Sequence, residues 1–238
     1  MMNLSDIHFK DKEASEYCKS LISKKPQSDI QTFWLGRQDY NSIFTLQKEI
    51  HQNIFKGKSG DVLLMLEHDH VYTLGKNANE NHILPLQDKC TDIAQVDRGG
   101  DVTYHGPGQL VCYPIINLNN YNKSISWYVA LIQECIIDVL AEHSINANKK
   151  ESPFVGIWVD DEKIAAIGIR LSRWISMHGF AINVNTDLSY FDGIIPCGIF
   201  DYGVTSMEKV TNNKFDIEIL AKKIASLFIE RLKGVSVC

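Results

Sequence analysis

The residues of this chain that could carry chemistry gather in a few places. Cys197 lies in 194–199 (IIPCGI), where Pro196 fixes the backbone before it and Gly198 leaves room after it. A thiol becomes a strong nucleophile when its thiolate is stabilised or a base sits beside it. Three residues qualify by type as that base: Lys163, His105 and His178. Lys163 opens the apolar run 164–169 (IAAIGI), and a desolvated amine there works as a general base near neutral pH. Each residue also has a plain structural reading. A lone cysteine is most often a small buried hydrophobe, a strand-edge lysine snorkels into solvent, and a histidine on an apolar strand such as 177–181 (MHGFA) satisfies itself with local hydrogen bonds.

The glycines concentrate in 98–110, RGGDVTYHGPGQL. Arg98 precedes one Gly pair, and His105 precedes Gly106-Pro107-Gly108. Glycine lets backbone turn sharply and approach a ligand closely. The segment lacks the GK[ST] ending of a phosphate loop and the GxGxxG of a dinucleotide turn. It reads either as two hairpin turns around a strand or as a wall of backbone amides, with Arg98, Tyr104 and His105, around an acyl group or its carrier. His68 and His70 flank a turn, but no third or fourth ligand stands at metal-site spacing, so both are expected in solvent and no metal is expected.

Composition narrows the classes. The chain has 238 residues, with 24 Lys plus Arg against 29 Asp plus Glu, a net charge of −5. Apolar residues at 45% and charged residues at 22% are those of an ordinary globular domain with a real core. The acidity disfavours a nucleic-acid partner, and no apolar run reaches the roughly 18 residues that span a bilayer. Six cysteines without CxxC pairing point to free thiols in a reducing cytoplasm, and no signal or transit peptide is visible.

The elements that must position these residues follow from periodicity. Residues 1–30 read as an extension with a short helix at 11–22, and 31–238 as one catalytic domain. Strands are expected at 33–35, 61–67, 71–74, 109–118, 154–159, 163–170 and 174–184. Helices are expected at 39–55, 127–142 (with Ser126 as N-cap) and 216–232; a polar loop fills 76–94. Consecutive strands with a few long helices indicate a single-domain α+β (α/β) fold, its sheet mixed or mostly antiparallel and flanked by helices.

Six blocks taken together resemble the octanoyl-(acyl-carrier-protein):protein octanoyltransferases, the lipoyl(octanoyl) transferases of lipoate biosynthesis. They are 66–75 (LEHDHVYTLG), 98–110 with 113–115 (YPI), 163–170 (KIAAIGIR), 178–185 (HGFAINVN), 195–198 (IPCG) and 204–206 (VTS). The resemblance implies the catalytic fold shared with biotin and lipoate protein ligases. It implies transfer of octanoyl from acyl carrier protein to a lysine of lipoyl domains, those of 2-oxoacid dehydrogenases and the glycine cleavage H protein, without a cofactor. It maps the acyl-accepting cysteine onto Cys197 and the acid/base lysine onto Lys163. It maps substrate contacts onto Arg98, Gly99, Gly100, Asp101, Val102, Thr103, Tyr104 and His105, onto Ala166, Ile167 and Gly168, and onto Gly179, Phe180 and Ala181. Tyr72, Leu74 and Ile167 are candidate walls of an acyl tunnel. The rival readings are an ATP-dependent lipoate or biotin ligase, a non-catalytic module that holds a carrier protein or lipoyl domain, and a papain-like hydrolase.

Overall fold

The computed structural model describes residues 30–84, 91–150, 154–195 and 202–234. The extension before Ile30, with its expected helix at 11–22, and Cys197 lie outside the described residues.

In chain order the elements are β1 Gln31–Gln38, α1 Tyr40–Phe55, β2 Val62–His68, β3 Val71–Leu74, β4 Asp92–Gln95, β5 Val102–His105, β6 Gln109–Ile115, α2 Ile125–Glu142, β7 Asn148–Lys149, β8 Gly156–Val159, β9 Glu162–Ser172, β10 Ile175–Asn183, β11 Gly203–Val204, α3 Met207–Thr211 and α4 Ile217–Lys233. The main sheet runs β1-β2-β6-β10-β9-β8-β7, with β11 paired to β9, and a second sheet runs β4-β3-β5. The β1–β2 and β9–β11 pairs are parallel, while β2–β6, β6–β10 and β10–β9 are antiparallel. The expected mixed sheet flanked by helices is thus observed.

The run VLLMLE in β2 is apolar throughout because both faces of the sheet are covered. Leu63 and Met65, with Leu110 and Cys112 of β6, face α2 and α4, where Tyr128, Ile132 and Phe228 pack. Val62, Leu64 and Leu66, with Val111 and Tyr113, face α1, where Ile43, Leu46 and Ile50 pack. Successive strand residues point to opposite faces, so a strand sandwiched between helix layers must be apolar at every position.

Three expectations need correction. The N-cap of α2 is Ser124, whose Oγ accepts from Trp127 N at 3.2 Å; the helix therefore starts two residues before the expected 127. Ser126 sits inside the first turn, because the cap is the residue whose backbone is still extended. Residues 92–94 at the end of the supposed loop, with Gln95, are a strand, recruited by parallel pairing with β3 that no local periodicity signals. His68 is fully buried rather than solvent-exposed. Its Nδ1 lies 3.0 Å from Gln38 O and its Nε2 2.8 Å from Tyr113 Oη. His70 stacks on Tyr190 with ring centroids 4.1 Å apart, and its Nδ1 meets Tyr104 Oη at 2.8 Å.

Candidate active site

The register of two neighbouring strands builds the floor of the site. In the β10–β9 ladder Gly179 stands opposite Gly168, Phe180 opposite Ile167 and Ala181 opposite Ala166. Two tripeptides thirteen positions apart in the chain thus form one surface. Beside it, Gly99 N donates to Ile169 O at 3.1 Å, which draws the glycine-rich segment onto the edge of the same floor.

Arg98 organises that segment. It is 7% exposed. Its Nη1 donates to Asp101 O at 2.8 Å and Gly99 O at 3.1 Å, and its Nη2 donates to Thr73 O at 2.6 Å and Thr73 Oγ1 at 2.8 Å. The planar guanidinium, with donors in a fixed fork, folds the loop around itself. Asp101 pins the other side: its Oδ1 accepts from Val102 N (2.8 Å) and Asn79 N (3.2 Å), and its Oδ2 lies 2.5 Å from His82 Nδ1.

These parts line a partly open cavity of about 530 Å³, solvent at its mouth included. Its wall includes Arg98, Gly99, Gly100, Asp101, Thr103, His105, Ala166, Ile167, Gly168, Gly179, Phe180 and Ala181, all among the positions that the resemblance maps as substrate contacts. Tyr40, Tyr113, Val155 and His178 also line it. The side chains of Val102 and Tyr104 do not. β5 alternates, so Thr103 and His105 face the cavity while Val102 and Tyr104 pack with Tyr72, Leu74, Phe191 and Ile194. For the same reason Tyr72 and Leu74 are no part of this cavity's wall; Ile167 is.

Lys163 stands at the start of β9. It is 7% exposed, which corrects the solvated reading. Its Nζ lies 4.8 Å from the Trp158 ring centroid. A smaller, narrower cavity is lined by Lys163, Gln109, Asn183 and Phe191, and shares Thr103, Ala166 and Ala181 with the main one. Val204 pairs with Lys163 in the β11–β9 ladder. The chain on either side of 196–201 reaches this neighbourhood. Ile195 N donates to His82 O at 2.8 Å, and the Tyr202 ring lies 5.2 Å from that of Trp158.

Burial sets the state of the histidines. Desolvation, with the neighbouring His68, pushes His105 down to about 3, and desolvation pushes His178 down to about 4 although Asp97 partly opposes it. Both rings are neutral at pH 7, so His105 is a hydrogen-bonding group rather than a proton store. Among the described residues no group of three His, Cys, Asp or Glu side chains could hold a metal ion.

The lipoyl protein ligase A/B catalytic domain matches residues 39–229. Octanoyltransferases of Desulforamulus reducens and Flavobacterium johnsoniae are 43% and 41% identical to the chain, over 82% and 84% of it and 87% and 96% of their own lengths. The chain belongs to this family. It is an acyltransferase of the octanoyltransferase kind. Among solved structures, that of the bi-partite lipoate protein ligase of Thermoplasma acidophilum and its E2 lipoyl domain superposes with a TM-score of 0.66 at 17% identity, covering 87% of this chain and 85% of that one. Biotin protein ligase from Aquifex aeolicus in complex with biotin and ATP gives 0.54 at 16%, covering 87% and 72%. At those identities the likeness is one of fold, and it is the fold the sequence motifs implied.

Sequence reasoning missed several residues in and behind the site of this acyltransferase. Tyr40 opens α1, where nothing marks it apart from the helix's apolar stripe. Asp97 is covered by no motif argument, yet its Oδ1 lies 2.9 Å from His178 Nε2 while its Oδ2 takes Arg170 at 2.7 Å. Its adjacency to Arg98 was the one available hint. Gln109 stands next to last in the glycine-rich block and turns its side chain to His105.

Proposed function

We propose that the chain transfers an octanoyl group from acyl carrier protein to a lysine of lipoyl domains, through a thioester on Cys197. The observation that carries the reading is the glycine-floored cavity, which shares Thr103, Ala166 and Ala181 with a smaller cavity that reaches the buried Lys163. An acyl chain needs such a space: each buried methylene is worth about 0.8 kcal/mol, so the tail supplies several kcal/mol and a measure of its length. The names of the relatives point to the octanoyl group, and the E2 lipoyl domain named beside the archaeal ligase points to the acceptor class.

The step order follows from charge balance. Lys163 takes the thiol proton of Cys197, and the thiolate attacks the donor's carbonyl carbon. The bond to the carrier's pantetheine sulfur breaks, and Lys163 returns the proton to that sulfur. The acceptor's neutral amine then attacks the Cys197 thioester. The C–S bond breaks, Lys163 removes the amine's surplus proton, and it passes that proton to the cysteine sulfur. The enzyme ends as it began, and the product amide is more stable than either thioester. Backbone amides of the glycine-rich segment are candidates to hold the oxyanion. Acceptors of this chemistry are the lipoyl domains of 2-oxoacid dehydrogenases and the glycine cleavage H protein.

Intact-mass spectrometry tests this. The full chain mixed with octanoyl carrier protein, without nucleotide, gains one octanoyl group, and adding a lipoyl domain removes it. Cys197→Ala gains none. A strict requirement for ATP, or an adduct that persists in Cys197→Ala, overturns the reading.

A further inference from the structure

The main cavity has one polar wall residue whose hydrogen-bonding sense is dictated from a distance. His105 Nδ1 lies 2.7 Å from Gln109 Oε1. Which nitrogen of a neutral imidazole carries the proton depends on what its partner is, and here the partner's identity can be derived. Gln109 Nε2 lies 3.1 Å from Tyr104 O and 3.0 Å from Asn183 Oδ1. Asn183 Nδ2 in turn lies 2.9 Å from Thr205 O. Two of these contacts are backbone carbonyls, which only accept. Thr205 O therefore requires the nitrogen of the Asn183 amide, which turns the Asn183 oxygen towards Gln109. Tyr104 O and that oxygen together require the nitrogen of the Gln109 amide. The Gln109 oxygen is left for His105, so the imidazole proton must be on Nδ1. All four residues are almost fully buried, His105 at 7% exposure, Gln109 at 2%, Asn183 at 5% and Tyr104 at 0%, which strengthens the bonds between them.

We propose that Gln109 and Asn183 are positioning residues that lock His105 as the Nδ1–H tautomer, so that its Nε2 presents a fixed lone pair to the cavity and accepts an N–H of the amine that attacks the acyl group. The second half of this statement rests on the function proposed above; the first half stands without it. His105 lines the cavity, its Nδ1 is turned to Gln109, and among the described residues Nε2 makes no hydrogen bond. The ring is held in place by Tyr40, stacked at 6.1 Å with 10° between planes, and by His68 at 5.8 Å. Burial keeps the ring neutral, so the lone pair persists at pH 7. An amine that donates one N–H to Nε2 has its own lone pair directed elsewhere, which is what attack on a carbonyl needs. The opposite tautomer would meet the amine with an N–H and compete for that same lone pair.

The test uses the full chain labelled with 15N-histidine. Long-range proton–nitrogen correlation spectra report each ring's tautomer, and His105 is assigned by the signals lost in His105→Gln. The expected result is protonated Nδ1 and bare Nε2 in the wild type. A protonated Nε2 overturns the proposal. In Gln109→Met, which keeps the volume and removes the amide, the tautomer preference is lost. Transfer from preformed acyl-enzyme to a lipoyl domain then slows by about tenfold or more, while acyl-enzyme formation stays near the wild-type rate. An unchanged tautomer, or an equal slowing of both half-reactions, overturns it. Should Gln109→Met fail to fold, Asn183→Ser removes the support behind Gln109 and carries the same readouts. If the wild type forms no acyl-enzyme at all, the proposed function and the role given to the amine fall together, and the spectrum still decides the tautomer.

Discussion

His178 Nε2 lies 2.9 Å from Asp97 Oδ1, although His178 holds a left-handed backbone, φ 56°, in the middle of a strand. Such a conformation costs a non-glycine residue of order 1–3 kcal/mol and persists only where its surroundings impose it. The surroundings do: Gln47 Oε1 accepts from His178 N at 2.9 Å, Arg170 holds the other oxygen of Asp97 at 2.7 Å, and Phe44 lies against the ring at 5.3 Å. Asp97→Ala removes the carboxylate and leaves a buried imidazole nitrogen without a partner. The expected cost is about 1–3 kcal/mol of stability, seen as a lower denaturant midpoint at unchanged slope. An unchanged midpoint would show that Gln47 and the ring contacts hold His178 without Asp97.

Three buried histidines give the fold a pH dependence whose sign can be worked out. Burial pushes His68 and His178 down to about 4 and His105 to about 3, against 6.5 in an open chain. Below about pH 6.5 the unfolded chain takes up protons that the folded chain refuses, so stability is fully present above that pH. It is lost progressively as the pH falls towards 4 and then 3, by a few kcal/mol for each ring. Asp61, whose carboxyl burial pushes up, offsets part of this in acid. Unfolding free energies measured by urea from pH 7.5 to 4.5 should hold level to about pH 6.5 and then fall; a profile flat down to about pH 4.5 contradicts the assignment of neutral, buried rings.

The two facing glycines of the cavity floor respond differently to a methyl group. A Cβ on Gly179 would stand 2.1 Å from Cys112 O and 2.5 Å from Pro114 Cδ, and neither the strand backbone nor the ring can yield. A Cβ on Gly168 would meet Arg98 Cδ at 3.1 Å and Gly99 O at 3.3 Å. Gly179→Ala is therefore expected to lower the melting temperature by well over what Gly168→Ala does, on a scale of about 2 kcal/mol or more. Gly168→Ala should instead raise KM by narrowing the cavity. Equal melting temperatures for the two variants would mean that β6 and β10 can separate at no cost.

Lys163→Met keeps the stem that packs beside Gly156 and removes the amine. If that amine carries the protons of both half-reactions, kcat falls by about 10²-fold or more while the melting temperature moves little. Lys163→Arg should fail as well, because a guanidinium does not give up its proton near neutral pH. Activity within tenfold of wild type in both variants would assign the proton traffic elsewhere.

The longer strands and the three long helices were legible from the chain, since apolar period and turn residues act over a few positions; the short strands Asp92–Gln95, Asn148–Lys149 and Gly203–Val204 were not, because pairing with a distant partner defines them. The blocks that mark the family were legible too: six cavity-wall residues fall in the segment 98–110, where glycine, arginine and histidine together are chemically distinctive, and the six at 166–168 and 179–181 came from the resemblance alone. The pairing of 166–168 with 179–181 follows from register across a hairpin. Which side of β5 faces the ligand was open until the second sheet was in place, since alternation defines two faces without naming the inner one. Asp97, Tyr40 and the role of Gln109 depended on tertiary structure alone. Each acts through a partner distant in sequence or through a buried orientation, and a one-dimensional pattern holds neither the direction of a side chain nor the absence of water around it.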